Sequence, residues 1–120
     1  MAAQYLPREL TNVPAEAFNI AQYLPAMARS APERAAVICT HAPDTLGRTA
    51  LSVRQLNAES DQLAHGLLRA GVQPAGRTLL MVRPGLELIT LTFALFKMGA
   101  VPVLIDPGMG KTNLLDCVRQ

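Results

Sequence analysis

The run with the plainest chemical potential in this chain is Gly108-Met109-Gly110-Lys111-Thr112. It follows an apolar stretch and opens a helical pattern, the place where free backbone N–H groups and a lysine can cradle phosphate. A Walker loop, however, needs a glycine five positions before Gly110, and Ile105 stands there. The loop is also shorter than a Walker loop, so fewer amides could wrap a triphosphate. Too little chain follows Thr112 to supply the acidic strand that would hold magnesium. An ordinary strand-to-helix turn, with Lys111 in solvent, is the better reading.

Asp106 ends the same apolar stretch. Ligands of open α/β sheets gather outside the carboxyl ends of strands, so a carboxylate there is a candidate. Asp106-Pro107-Gly108 is equally good turn chemistry, and the turn is preferred. Asp61, His65 and Arg69 recur every four residues, which invites comparison with an Asp–His dyad. They fall opposite a leucine stripe, where charges are normally solvated, and no Gly-x-Ser-x-Gly elbow exists to supply a nucleophile. His41 has no partner signal. Arg83-Pro84-Gly85 could meet an anion, but one arginine is thin support. Cys39 and Cys117 are too few for a zinc site or a disulfide framework, and they read as small buried hydrophobes in a reducing compartment. From the residues alone, no catalytic, cofactor-binding or metal-binding side chain is assigned.

These residues must be placed by the elements around them. Residues 1–17 read as an irregular lead-in. Asn19 can cap a helix with Gln22 completing a capping box, and Phe18 can staple on Tyr23. Pro25 should kink that helix or keep it short, and Pro32 closes it. Residues 35–40 and 48–51 flank a turn-rich segment and read as a β-hairpin. Ser52 caps the strongest helix, with Gln55 three residues on. Val53, Leu56, Leu63 and Leu67 form its apolar stripe, and Gly71 is its left-handed stop. A strand over 78–82, a helix over 87–98 apolar on nearly all sides, a strand over 101–105 and a final helical pattern follow. A strand apolar on both faces belongs in a parallel sheet covered by helices. The fold class is therefore α/β: a hairpin, then alternating helices and mostly parallel strands.

Composition narrows the function classes. With 120 residues, half of them hydrophobic, and a net charge of +2, the chain can bury a real core and is not intrinsically disordered. Its 11 basic side chains are scattered, and there is no Trp. Both facts argue against a nucleic-acid binder, which needs a basic stripe or an aromatic platform. No signal peptide is evident at the start. The greasiest stretch, 88–105, is interrupted by Lys97, Gly99 and Pro102, so it reads as core rather than a membrane span. A cytoplasmic location is expected.

Several motifs together resemble a known family. Phe18-Asn19-Ile20-Ala21-Gln22-Tyr23-Leu24 looks like the opening helix of AMP-forming acyl and aryl ligases. Leu51-Ser52-Val53-Arg54-Gln55-Leu56-Asn57 looks like their next helix start, and Gly71-Val72 to Gly76-Arg77 is similar to their loop before a strand. The most specific match is the run from Leu91 to Pro107, Leu-Thr-Phe-Ala-Leu-Phe-Lys-Met-Gly-Ala-Val-Pro-Val-Leu-Ile-Asp-Pro. It is close to the family's helix–Gly–Ala–strand–Asp–Pro signature. The resemblance covers residues 18–120 in the family's order. Residues 105–110 followed by Asn113, Leu114, Leu115 and Cys117 look most like one branch, the AMP-forming β-lactone synthetases of long-chain olefin biosynthesis, which are relatives of fatty-acid CoA ligases.

This resemblance implies that residues 18–120 are the amino-terminal part of an adenylation domain. The Ser/Thr/Gly-rich phosphate loop, the Thr-Glu pair for magnesium, the ribose-binding Asp and the lysine-bearing small domain are all missing, so no family site residue can be carried onto this chain. The implied parent enzyme uses ATP and Mg2+ to convert a fatty acid, expected to be a 2-alkyl-3-hydroxy acid, into an acyl-adenylate. It then closes a β-lactone. A fatty acyl-CoA ligase is the alternative within the family. A truncated P-loop nucleotide binder and a stand-alone interaction module are the alternatives outside it. The expected partners are the carboxylic acid and the remainder of the ligase chain, and the segment alone is expected to bind no nucleotide and to be inactive.

Overall fold

Among the described residues, the chain takes its first regular turn where Asn19 can cap it. In the computed structural model, which describes residues 19–106 and 108–119, the Asn19 side-chain oxygen accepts the Ala21 N–H at 3.0 Å. The lead-in over 1–17 and the Phe18 staple lie outside the described residues. One 3-10 turn, Ile20–Gln22, leads into helix α1, Tyr23–Ser30. Pro25 sits in the first turn of α1, where its missing N–H breaks no intrahelical bond, so the helix is short rather than kinked.

The hairpin forms as expected. Strands β1 (Ala35–Ile38) and β2 (Ala50–Ser52) are antiparallel, with Val37 opposite Leu51 and Ile38 opposite Ala50. Ser52 then starts helix α2, Val53–Arg69, through a complete capping box. Its hydroxyl oxygen accepts the Gln55 backbone N–H at 3.2 Å, while the Gln55 side-chain Oε1 accepts the Ser52 backbone N–H at 2.8 Å. Gly71, at φ +99°, reverses the chain as only glycine does cheaply.

Strand β3 (Arg77–Leu80), helix α3 (Leu86–Lys97) and strand β4 (Val101–Leu104) form a β-α-β unit, with β3 and β4 parallel and Leu79 opposite Val103. The strands are one or two residues shorter than the apolar pattern suggests. Helix α4 spans Lys111–Arg119.

The core has two parts, and α3 touches both. Leu80, Ala94, Leu95, Met98, Ala100 and Ala64 form one part, with Leu67, Leu88 and Leu91 packed against it. Leu24, Leu51, Val53, Leu56 and Leu86 form the other, with Ile89 and Phe93 packed against it. Full burial of a leucine such as Leu51, Leu86 or Leu95 stabilises by about 1.5–3 kcal/mol.

Two expectations need correction. Strand β4 is not covered on both faces: Val101 is 48% and Leu104 65% exposed. The reason is that β3 and β4 make a two-stranded sheet, with α3 packed on it, while α4 buries none of its residues. The space between the sheet and α4 is a groove of about 650 Å³ lined by Leu79, Val103, Ile105, Met109, Cys117 and Val118. Cys117 is for that reason exposed rather than buried, whereas Cys39 packs against the second core cluster.

Leaving this much apolar surface open sets the behaviour of the isolated chain, because monomeric soluble proteins rarely expose large contiguous apolar patches. Purified alone, residues 1–120 should self-associate and unfold over a broad temperature range. Light scattering and calorimetry check this, and a sharp transition from a monodisperse monomer would contradict it.

Candidate functional site

The candidates named from the sequence do not converge. Asp106 closes its own turn: a carboxylate oxygen accepts the Gly108 N–H at 2.8 Å, and its carbonyl accepts the Met109 N–H at 3.0 Å. Lys111 is the first residue of α4 and is exposed, in keeping with the turn reading. Asp61, His65 and Arg69 all lie on the exposed face of α2. His41 is exposed beside Thr40, 3.5 Å from its hydroxyl. Arg83 is exposed in the turn after β3, beside a hollow it shares with Ala42, Pro43 and Thr45.

Asp61 is more than a solvated charge. The ammonium of Lys97, at the end of α3, donates to the Asp61 carboxylate at 2.6 Å. The same ammonium donates to the Asn57 backbone carbonyl at 2.9 Å and to its side-chain oxygen at 2.8 Å. Lys97 is the charge that interrupts the greasy stretch in the sequence. Its stem runs through the α2–α3 contact and its head finds three acceptors, so the interruption is a tie between helices.

The densest polar arrangement centres on Arg48, which sequence reading left inside a turn. Asp44 is 8% exposed, and its first carboxylate oxygen accepts the N–H groups of Leu46 at 3.0 Å and Arg48 at 2.8 Å. Its second oxygen accepts the Arg48 Nε–H at 2.7 Å. The two Nη groups of Arg48 fork onto Glu59 of α2, at 2.5 and 3.0 Å. One residue along the loop, the Thr45 N–H donates to Glu87 of α3 at 2.9 Å. The hairpin loop is thus tied to both central helices. Burial pushes the Asp44 carboxyl up, but the Arg48 N–H and guanidinium and the Leu46 N–H outweigh it and hold it below its ordinary value of 3.8. Glu59 first, then Asp44, raise the Arg48 guanidinium above its ordinary range. The signal available in the sequence was the Asp44-to-Arg48 spacing across a turn; nothing there pointed to Glu59.

A groove of about 560 Å³ runs beside this cluster, lined also by Gln62, Leu63, Leu86 and Thr90. Leu63, expected in the core stripe, stands 36% exposed on its wall. The cluster fixes shape: each nitrogen of the Arg48 guanidinium is engaged, and among the described residues lining the adjoining groove none carries a thiol or imidazole. Nor do these residues suit a nucleotide with magnesium. Among the described residues, no three His, Cys, Asp or Glu side chains come together as a metal would require. The Asp106 carboxylate near Lys111 is turned into its own loop.

A parallel β-α-β unit preceded by a hairpin defines an α/β arrangement, and among the described residues the charged side chains tie elements together. The chain belongs to the AMP-binding enzyme family, whose profile matches residues 24–120. It is 44% identical over 110 residues to an olefin beta-lactone synthetase of Stenotrophomonas maltophilia, covering 85% of this chain and 19% of that protein. It is also 44% identical over 106 residues to the olefin beta-lactone synthetase of Xanthomonas campestris pv. campestris, again covering 85% of this chain and 19% of the relative. The chain therefore spans about a fifth of the length of these curated relatives. Among solved structures, the N-terminal subdomain of Klebsiella oxytoca NpsA superposes with a TM-score of 0.73 at 18% identity, over 84% of this chain and 24% of that one. A fatty acyl-adenylate ligase from L. pneumophila superposes with a TM-score of 0.67 at 24% identity, over 85% of this chain and 17% of that one. At such identities the structural matches establish the α/β fold of the family.

The Arg48 cluster makes a specific prediction. A carboxyl held below its ordinary value stabilises the fold above that value, and the contribution is lost as pH falls through the lowered one. Amide exchange at Leu46 and Arg48, corrected for intrinsic rates, should therefore stay slow above about pH 4 and quicken below it. Asp44→Asn should remove that pH dependence. Arg48→Ala should open the loop at all pH values, read as faster thermolysin cleavage beside Leu46, by about tenfold.

Proposed function

We propose that this chain is the amino-terminal segment of an AMP-forming ligase that activates a 2-alkyl-3-hydroxy fatty acid and closes it to a β-lactone. The observation that carries this reading is the 44% identity to two olefin beta-lactone synthetases over 85% of the chain. In the reaction, a carboxylate oxygen of the acid attacks the α-phosphorus of ATP and pyrophosphate leaves. The 3-hydroxyl oxygen of the same acid then attacks the activated carbonyl, its proton passes to a base, and AMP leaves. Nucleophile and electrophile lie in one molecule, so ring closure needs no capture of a second reactant.

No residue of this segment is assigned to either step. Its part is to hold shape: α2 and α3 back the sheet, and the Arg48 and Lys97 ties fix the loop and helices. ATP and Mg2+ belong to the remainder of the polypeptide in this reading, as does contact with the acid. No described helix is long and apolar enough to cross a membrane, in keeping with the proposed cytoplasmic location.

The test is pyrophosphate release by the intact polypeptide with ATP and Mg2+, using 3-hydroxy and plain fatty acids with and without coenzyme A. Release with the 3-hydroxy acid, without coenzyme A and with a β-lactone product, is expected. A thioester formed only with coenzyme A would move the protein to the fatty acyl-CoA ligases. Release with no acid tested would overturn the acid-activation reading, as would no release at all. The 120-residue chain alone should release none.

A further inference from the structure

We draw no further inference here: the strongest candidate, the groove of about 560 Å³ between the hairpin loop, α2 and α3, belongs to the Arg48 cluster already described, and nothing in the structure shows what occupies it.

Discussion

Everything in this structure depends on covering α3. A twelve-residue helix, Leu86–Lys97, with almost no polar face cannot lie at a surface, and each neighbouring element is placed by the need to cover one of its sides. Leu95 and Ala94 are fully buried, and the α2–α3 contact is close because Ser60 and Ala64 on α2 and Ala94 on α3 are small. The hairpin and α1 cover a second side through Leu51 and Leu24. The β3–β4 sheet covers a third through Leu80 and through Ala100, just before β4. Two small clusters joined by one greasy helix form a more coherent core than either could alone.

Hydrophobic burial is non-directional, so it does not by itself choose a register for these pieces. The polar ties do. Lys97 fixes α3 against Asn57 and Asp61 on α2, and the Asn19 amide donates to the Phe96 carbonyl at 2.6 Å, pinning the 3-10 turn before α1 to the same helix end. At the opposite end of α3, Glu87 holds the hairpin loop while Arg48 holds that loop to α2. Three of these ties sit at the two ends of α3, where sliding would move them most, and the fourth joins the hairpin loop to the middle of α2. The exposed Arg54–Glu33 pair, by contrast, is a surface contact of the kind that contributes little.

Most of the fold is legible in the sequence because its signals are local. Asn19, the Ser52–Gln55 box, Gly71 and Gly99 mark helix ends through chemistry within a few residues, and the structure places helix ends beside each of them. What escapes is what depends on distance. Arg48 and Glu59 are eleven positions apart, and Lys97 and Asn57 forty. Neither spacing announces a contact until α2 and α3 are docked. The covering of β4 was misjudged for a related reason: an apolar strand states what it needs, and α4 does not supply it. The candidate site divides the same way. The turn at Asp106 was readable from Asp-Pro-Gly, while the Arg48 cluster was not.

Among the described residues no set of reactive groups converges, and the parallel sheet has two strands. In open α/β domains, chemistry gathers in crevices at strand carboxyl ends, built from loops of several strands together. Two strands provide only two such loops. Here one carries Arg83 and the other Asp106, and the first is exposed while the second bonds to its own backbone. The described residues contribute packing and ties instead: small side chains between helices, charges that fix loops, and apolar strand residues left exposed.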